Sequence, residues 1–183
     1  MQKRIFIRNG IKFAYVMIVF LTGLLSIIGC AAGRQWSASP GLANNQFFQA
    51  TVSPITTDSG WINPSTRKRC TSFDLEIRNH TNQNLELIWD KTLYIQNGKT
   101  SGGFMFEGVV FKDRNNPKPP DIIFPNDIFQ KTIWPNILVS FVSGQYGSAW
   151  VHDNMTPGEV GVYLTIRVDG KEINEKIVTQ LKD

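Results

Sequence analysis

GEVGVYLTIRV (158–168), then Asp169-Gly170, then KEINEKIVTQL (171–181) is the stretch that decides the fold. Val160, Val162, Leu164, Ile166 and Val168 occupy alternate positions. That period of two marks a half-buried strand, because successive side chains on an extended chain point to opposite faces. Asp-Gly tolerates positive φ and favours a tight antiparallel turn, so Ile173 to Leu181 reads as the returning strand. Ile173, Ile177 and Leu181 also stand at i, i+4 spacing. Strand and helix therefore both stay open for that last segment.

The same period recurs upstream. Phe73, Leu75 and Ile77 alternate with Asp74, Glu76 and Arg78, and after the polar run Asn79 to Asn84 come Leu85, Leu87 and Trp89. Phe48, Ala50 and Val52 share a face in a strand expected to end at Pro54. Leu93 to Gln96 leads into Asn97-Gly98, a second tight-turn pair. Phe104 to Phe111, Ile122 to Phe124, Ile128 to Trp134 and Ile137 to Val142 are further apolar runs. Loops at 112–120, 125–127 and 143–148 separate them. Short strands with turn signals every eight to twelve residues predict an antiparallel sandwich or barrel. The expected class is all-β, as a single domain over residues 46–183. FDLEIRNHTNQNLELIWD (73–90) resembles a strand–turn–strand unit of bacterial immunoglobulin-like envelope domains. That resemblance implies an immunoglobulin-like β-sandwich and carries no functional residue.

The first thirty residues have a different character. Lys3, Arg4, Arg8 and Lys12 precede a largely apolar run from Phe13 that closes on Ser26-Ile27-Ile28-Gly29-Cys30. A basic start, a short apolar core and small residues at the end are the parts of a secretory signal peptide. The run falls short of the roughly twenty residues that cross a bilayer core comfortably. Ile27-Ile28-Gly29-Cys30 resembles the lipobox of bacterial lipoproteins, with Ile27 in place of the usual Leu. The resemblance implies removal of residues 1–29 after Gly29, acylation of Cys30, and attachment to the bilayer by acyl chains instead of a spanning helix. If the cell is Gram-negative, Ala31, where Asp is lacking, implies the outer membrane, with the domain facing the periplasm or the surface. Residues 30–45, rich in Ala, Ser, Gly and Asn around Trp36, read as a lipidated flexible tether.

The net charge of +4 belongs to this leader. Four of the 19 Lys and Arg lie within residues 1–29, which hold no Asp or Glu, so the remainder balances 15 acids with 15 bases. Nothing in it offers the clustered basic face of a nucleic-acid binder, and Arg67-Lys68-Arg69 reads as a solvated loop. With Cys30 assigned to lipid, Cys70 has no disulfide partner in the chain. Its basic neighbours would favour the thiolate, while its place at a strand start suits a buried small hydrophobe.

Catalytic signatures are weak. Gly98-Lys99-Thr100 lacks the earlier Gly of a phosphate loop, since Leu93 stands there. No Gly-x-Ser-x-Gly elbow presents a nucleophile. Of the two histidines, His80 lies in a polar turn. His152 stands beside Asp153 and could act as a base or ligand, but no further ligands stand at metal-site spacing. No cofactor or metal is expected.

Aromatic residues in or beside loops are the remaining sign of function: Trp36, Trp61, Trp134, Tyr146 and Trp150. Tyr146, Trp150, His152 and Asp153, around the Gly/Ser-rich loop 143–148, form the candidate binding loop. The expectation is a non-catalytic envelope lipoprotein that binds or assembles with an envelope protein or a glycan. The alternatives are an envelope enzyme using His152 or Asp153 and a redox partner using Cys70.

Overall fold

Thirteen strands and three single-turn 3-10 helices, with no α-helix, make up the residues described by this computed structural model: 36–58, 68–144 and 147–182. They form an antiparallel β-sandwich. The first sheet runs, in spatial order, β1 (Gly41–Asn44), β2 (Phe48–Asp58), β3 (Lys68–Asn79), β9 (Ile128–Pro135) and β7 (Phe104–Phe106). The second is built around β12 (Gly158–Val168). β13 (Lys171–Leu181) pairs along the whole of one side of β12. β5 (Leu93–Gln96) and β4 (Leu85–Leu87) share the other side end to end, with β6 (Lys99–Thr100) and β8 (Asp121–Ile123) outside them. β10 (Val139–Gly144) and β11 (Gly147–His152) pair only with each other.

The alternating row of β12 forms the floor of the core. Val160, Val162, Leu164 and Ile166 are fully buried against Phe48, Val52, Leu75 and Ile77 of the facing sheet. Burying each such side chain is worth about 1.5–3 kcal/mol relative to leaving it in water. Phe73, Tyr94 and Phe104 fill one end, with ring centroids 6.1–6.4 Å apart. Where β4 stops and β5 has not begun, the 3-10 turn Trp89–Lys91 interrupts the ladder. Two buried threonines repair it. Thr165 donates its backbone N–H to Thr92 Oγ1 (3.3 Å) and its hydroxyl to Lys91 O (3.0 Å).

The segment 171–181 is a strand, so its i, i+4 spacing of apolar residues is incidental. Asp169 (φ 49°) and Gly170 (φ 74°) make the predicted turn. β12 and β13 approach so closely that a Cβ on Gly161 would lie 2.0 Å from Ile177 O. Only glycine fits there.

The apolar runs from Phe104 and Ile137 are only partly strand, the first ending at Phe106 and the second opening with a 3-10 turn, and three further boundaries differ from expectation. β2 continues through Pro54 to Asp58, with a register shift at Ile55/Thr56. β1 leaves β2 beyond Val52, so Pro54 sits on an edge strand, where its missing N–H is tolerated. The tether expected over 30–45 ends earlier, since Gly41–Asn44 is strand and Ser37 bridges to Lys182 beyond β13. This N-terminal segment therefore touches both sheets, and Trp36 packs against the core. Finally, β10 and β11 stay paired up to Gly144 and Gly147, so the stretch expected as a loop over 143–148 is largely a β-ribbon.

The run 79–84 proves to be more than a surface turn. Asn79 is buried and donates to Gln83 O (2.7 Å) and Phe124 O (3.0 Å), while its Oδ1 accepts from the Thr81 backbone N–H (2.8 Å). One amide thus holds together the crossing from β3 in one sheet to β4 in the other, and the turn before β9.

Candidate functional site

The ribbon β10–β11 carries the site. Cross-strand partners share a face, so Phe141 and Trp150 stand side by side, as do Val139 and His152 one step nearer the sandwich. Val139, at the root, is buried, whereas Phe141 and Trp150 keep 47% and 46% of their surface in solvent. Val142, on the opposite face of the ribbon, is 52% exposed.

A second element supports these rings. The 3-10 turn Phe111–Asp113 brings the Phe111 ring within 4.5 Å of Trp150 and 6.5 Å of Phe141, centroid to centroid. Phe141 and Trp150 are 4.8 Å apart. The Arg114 guanidinium lies 3.8 Å from the Phe111 centroid, a cation–π contact. Asn136 Nδ2 donates to Arg114 O (2.7 Å), and the Lys118 backbone N–H donates to Asp90 Oδ1 (2.9 Å). These bonds tie the loop after β7 to the root of the ribbon and to the sandwich. The result is a braced aromatic platform open to solvent.

The predicted residues fare differently. Trp150 belongs to the platform. His152 does not, because its ring stacks on Trp134 (5.5 Å, 19° between planes), and burial pulls its imidazole below the usual value of 6.5. Asp153 is exposed just past the strand, its backbone N–H donating to Leu138 O (2.8 Å). Consecutive residues along an extended chain point to opposite sides, so His152 and Asp153 do not form an acid–base pair. Tyr146, Trp61, Gly29 and Cys30 lie outside the described residues.

Cys70 is fully buried, its Sγ 3.9 Å from Met155 Sδ. Desolvation pushes its thiol up to about 11. A thiol in that state is a core hydrophobe rather than a nucleophile.

Phe111, Phe141, Val142 and Arg114 were missed from sequence. Phe141-Val142 reads as one more apolar strand, and nothing local shows that no second sheet will cover it. A second feature was legible but unread: Lys131 occupies the inward register of β9 between Phe129 and Ile133. Its ammonium reaches Asp121 Oδ2 (2.5 Å) on β8 and lies 4.3 Å from the Phe106 centroid. Trp89 Nε1–H donates to the same carboxylate oxygen (2.9 Å). This inter-sheet pair closes the sandwich edge. Among the described residues, no three His, Cys, Asp or Glu side chains gather as a metal site.

No family model matches the chain, and no curated protein is similar to it at a significant level. Among solved structures, it is similar to the X-ray structure of Northeast Structural Genomics Consortium target SoR45, at 18% identity over 82% of this chain and 86% of that one, with a TM-score of 0.31. At that degree of superposition the likeness bears on neither family nor function.

Proposed function

We propose that this chain is a bacterial envelope lipoprotein, held at a membrane by acylated Cys30, whose immunoglobulin-like sandwich works without catalysis as a binding or assembly component. The leader supports the address, with its basic start, short apolar core and Ile27-Ile28-Gly29-Cys30. The observation that carries the role is the solvent-facing cluster Phe111–Phe141–Trp150. A monomeric domain rarely leaves clustered aromatics uncovered, and such patches are where contacts form. A redox role for Cys70 finds no support in a thiol sealed inside the core.

The test has two parts. Cells supplied with labelled palmitate should incorporate it into the wild-type chain, and Cys30→Ala should lose both the label and membrane association. A photo-crosslinking residue at position 150 should be captured by an envelope component, protein or lipid, and one at exposed Asn84 should not. An unlabelled wild-type chain would defeat the address, and equal crosslinking at both positions would defeat the binding role.

A further inference from the structure

The described chain starts where the ribbon stands. Thr56 pairs with Cys70 at one end of the first sheet, and Gly158 pairs with Leu181 at one end of the second. Met155 N–H donates to Cys70 O (2.8 Å), which places both at the same end of the sandwich. Asp153 N–H donates to Leu138 O (2.8 Å), which roots the ribbon there too. Ser37 bridges to Lys182, one residue past Leu181. The chain therefore enters the domain at the end from which β10–β11 projects. Cys30 precedes Trp36 by six residues, and a fully extended stretch of that length reaches only about 20 Å.

From this we infer that the ribbon docks on the bilayer that holds the anchor, seating Phe141, Val142 and Trp150 in the headgroup–acyl interface. The inference rests on acylation of Cys30, which puts a bilayer within that short reach. Its chemistry fits: amphipathic aromatic rings settle at the headgroup level. Arg69, Lys99 and Lys182 are exposed at the same end, where they would meet anionic headgroups. Behind a small-residue tip of Ser143, Gly144 and Gly147, exposed apolar side chains stand on both faces of the ribbon, Phe141 and Trp150 on one and Val142 on the other, which suits insertion better than lying flat on another protein. Phe124 and Ile128 are exposed at the far end, so the position of chain entry, and not exposure alone, selects the ribbon. The lipid and the ribbon then make two contacts with one surface, and the second contact fixes the orientation of a domain that a lipid alone would leave free to turn.

The test uses acylated full-length protein carrying Val142→Cys, or Asn84→Cys at the far end, labelled with a fluorophore. Cys70 is buried and stays unlabelled under native conditions. The protein is reconstituted in vesicles of phosphatidylethanolamine and phosphatidylglycerol, with or without brominated acyl chains. Bromolipid should quench the label at 142 and not at 84, while aqueous iodide should quench 84 and not 142. Adding Phe141→Ser and Trp150→Ser should return position 142 to iodide. If the protein floats with the vesicles yet both labels stay open to iodide, the docking is wrong and the anchor stands. If protein made with its own signal carries no acyl chain and does not float, the anchor reading fails and takes the inference with it. Shielding of 142 in native membranes but not in pure lipid assigns the ribbon to a protein partner and overturns bilayer docking.

Discussion

The molecule contains two hairpins that look alike in sequence and end differently. β12–β13 and β10–β11 are both antiparallel pairs with apolar side chains in register across the strands. In the first, the row Val160, Val162, Leu164, Ile166 and Val168 is no more than 5% exposed, because β2 and β3 lie over it. In the second, Phe141 and Trp150 remain nearly half exposed, because only the turn at Phe111 meets them. Strand propensity and pairing are common to both. What separates a core hairpin from a presenting one is whether a second layer arrives, and that depends on residues far away in the chain.

Substitutions should pull the two hairpins apart. The largest effect is expected from Leu164→Ala, fully buried in β12, which should cost about 2–5 kcal/mol of stability in urea unfolding. An equal loss from Phe141→Ala would erase the distinction drawn here. Next comes Asp121→Ala, which strands both the Lys131 ammonium and the Trp89 indole N–H. A cost of about 1–3 kcal/mol is expected, measured by the same unfolding curve. Phe141→Ser with Trp150→Ser should cost about 1 kcal/mol of unfolding free energy for two residues, less than the single core truncation, because the rings pack only on each other and on Phe111. The same variant should weaken binding of an apolar dye to the native protein. A cooperative loss of structure instead would mean that the ribbon is part of the core.

The smallest effect should be a pH dependence confined to the root of the ribbon. Because burial lowers the folded pKa of His152, the unfolded chain binds its proton more readily. Stability from this group is complete above the unfolded value of 6.5 and is lost as pH falls from there through the folded pKa. Amide protection in β10–β11, taken relative to the intrinsic exchange rate at each pH, should therefore fall on acidification. His152→Phe, which keeps a ring against Trp134, should remove that response.

Legibility followed the range of the interactions involved. The alternation of β3 and β12 and the turns at Asn97-Gly98 and Asp169-Gly170 are local. They fixed the all-β class before any contact was known. Strand limits set by distant partners were not readable. Pro54 ends a strand by its own propensity, yet sits inside β2 because β1 has already turned away. Residues 41–44 have the composition of a linker but form β1 with β2 beside them, and Gly41 lies close enough to β13 that a Cβ there would reach 2.8 Å from Val178 O. Of the site, Trp150 was legible as an aromatic beside glycines. Phe111 was not, since the contact that places it in the cluster spans nearly forty residues of chain.

The N-terminal segment has one more consequence. Ser37 is bonded to Lys182 in both directions, backbone N–H to carbonyl, and four residues later the same segment enters the β1–β2 ladder. Tension arriving through the chain ahead of Trp36 thus meets the two sheets together. It runs along the direction of β1, so the rungs between Gly41–Asn44 and Gln49–Val52 would be sheared as a group and not opened one at a time. The N-terminal entry of the domain is thus held by bonds to both sheets that must fail together.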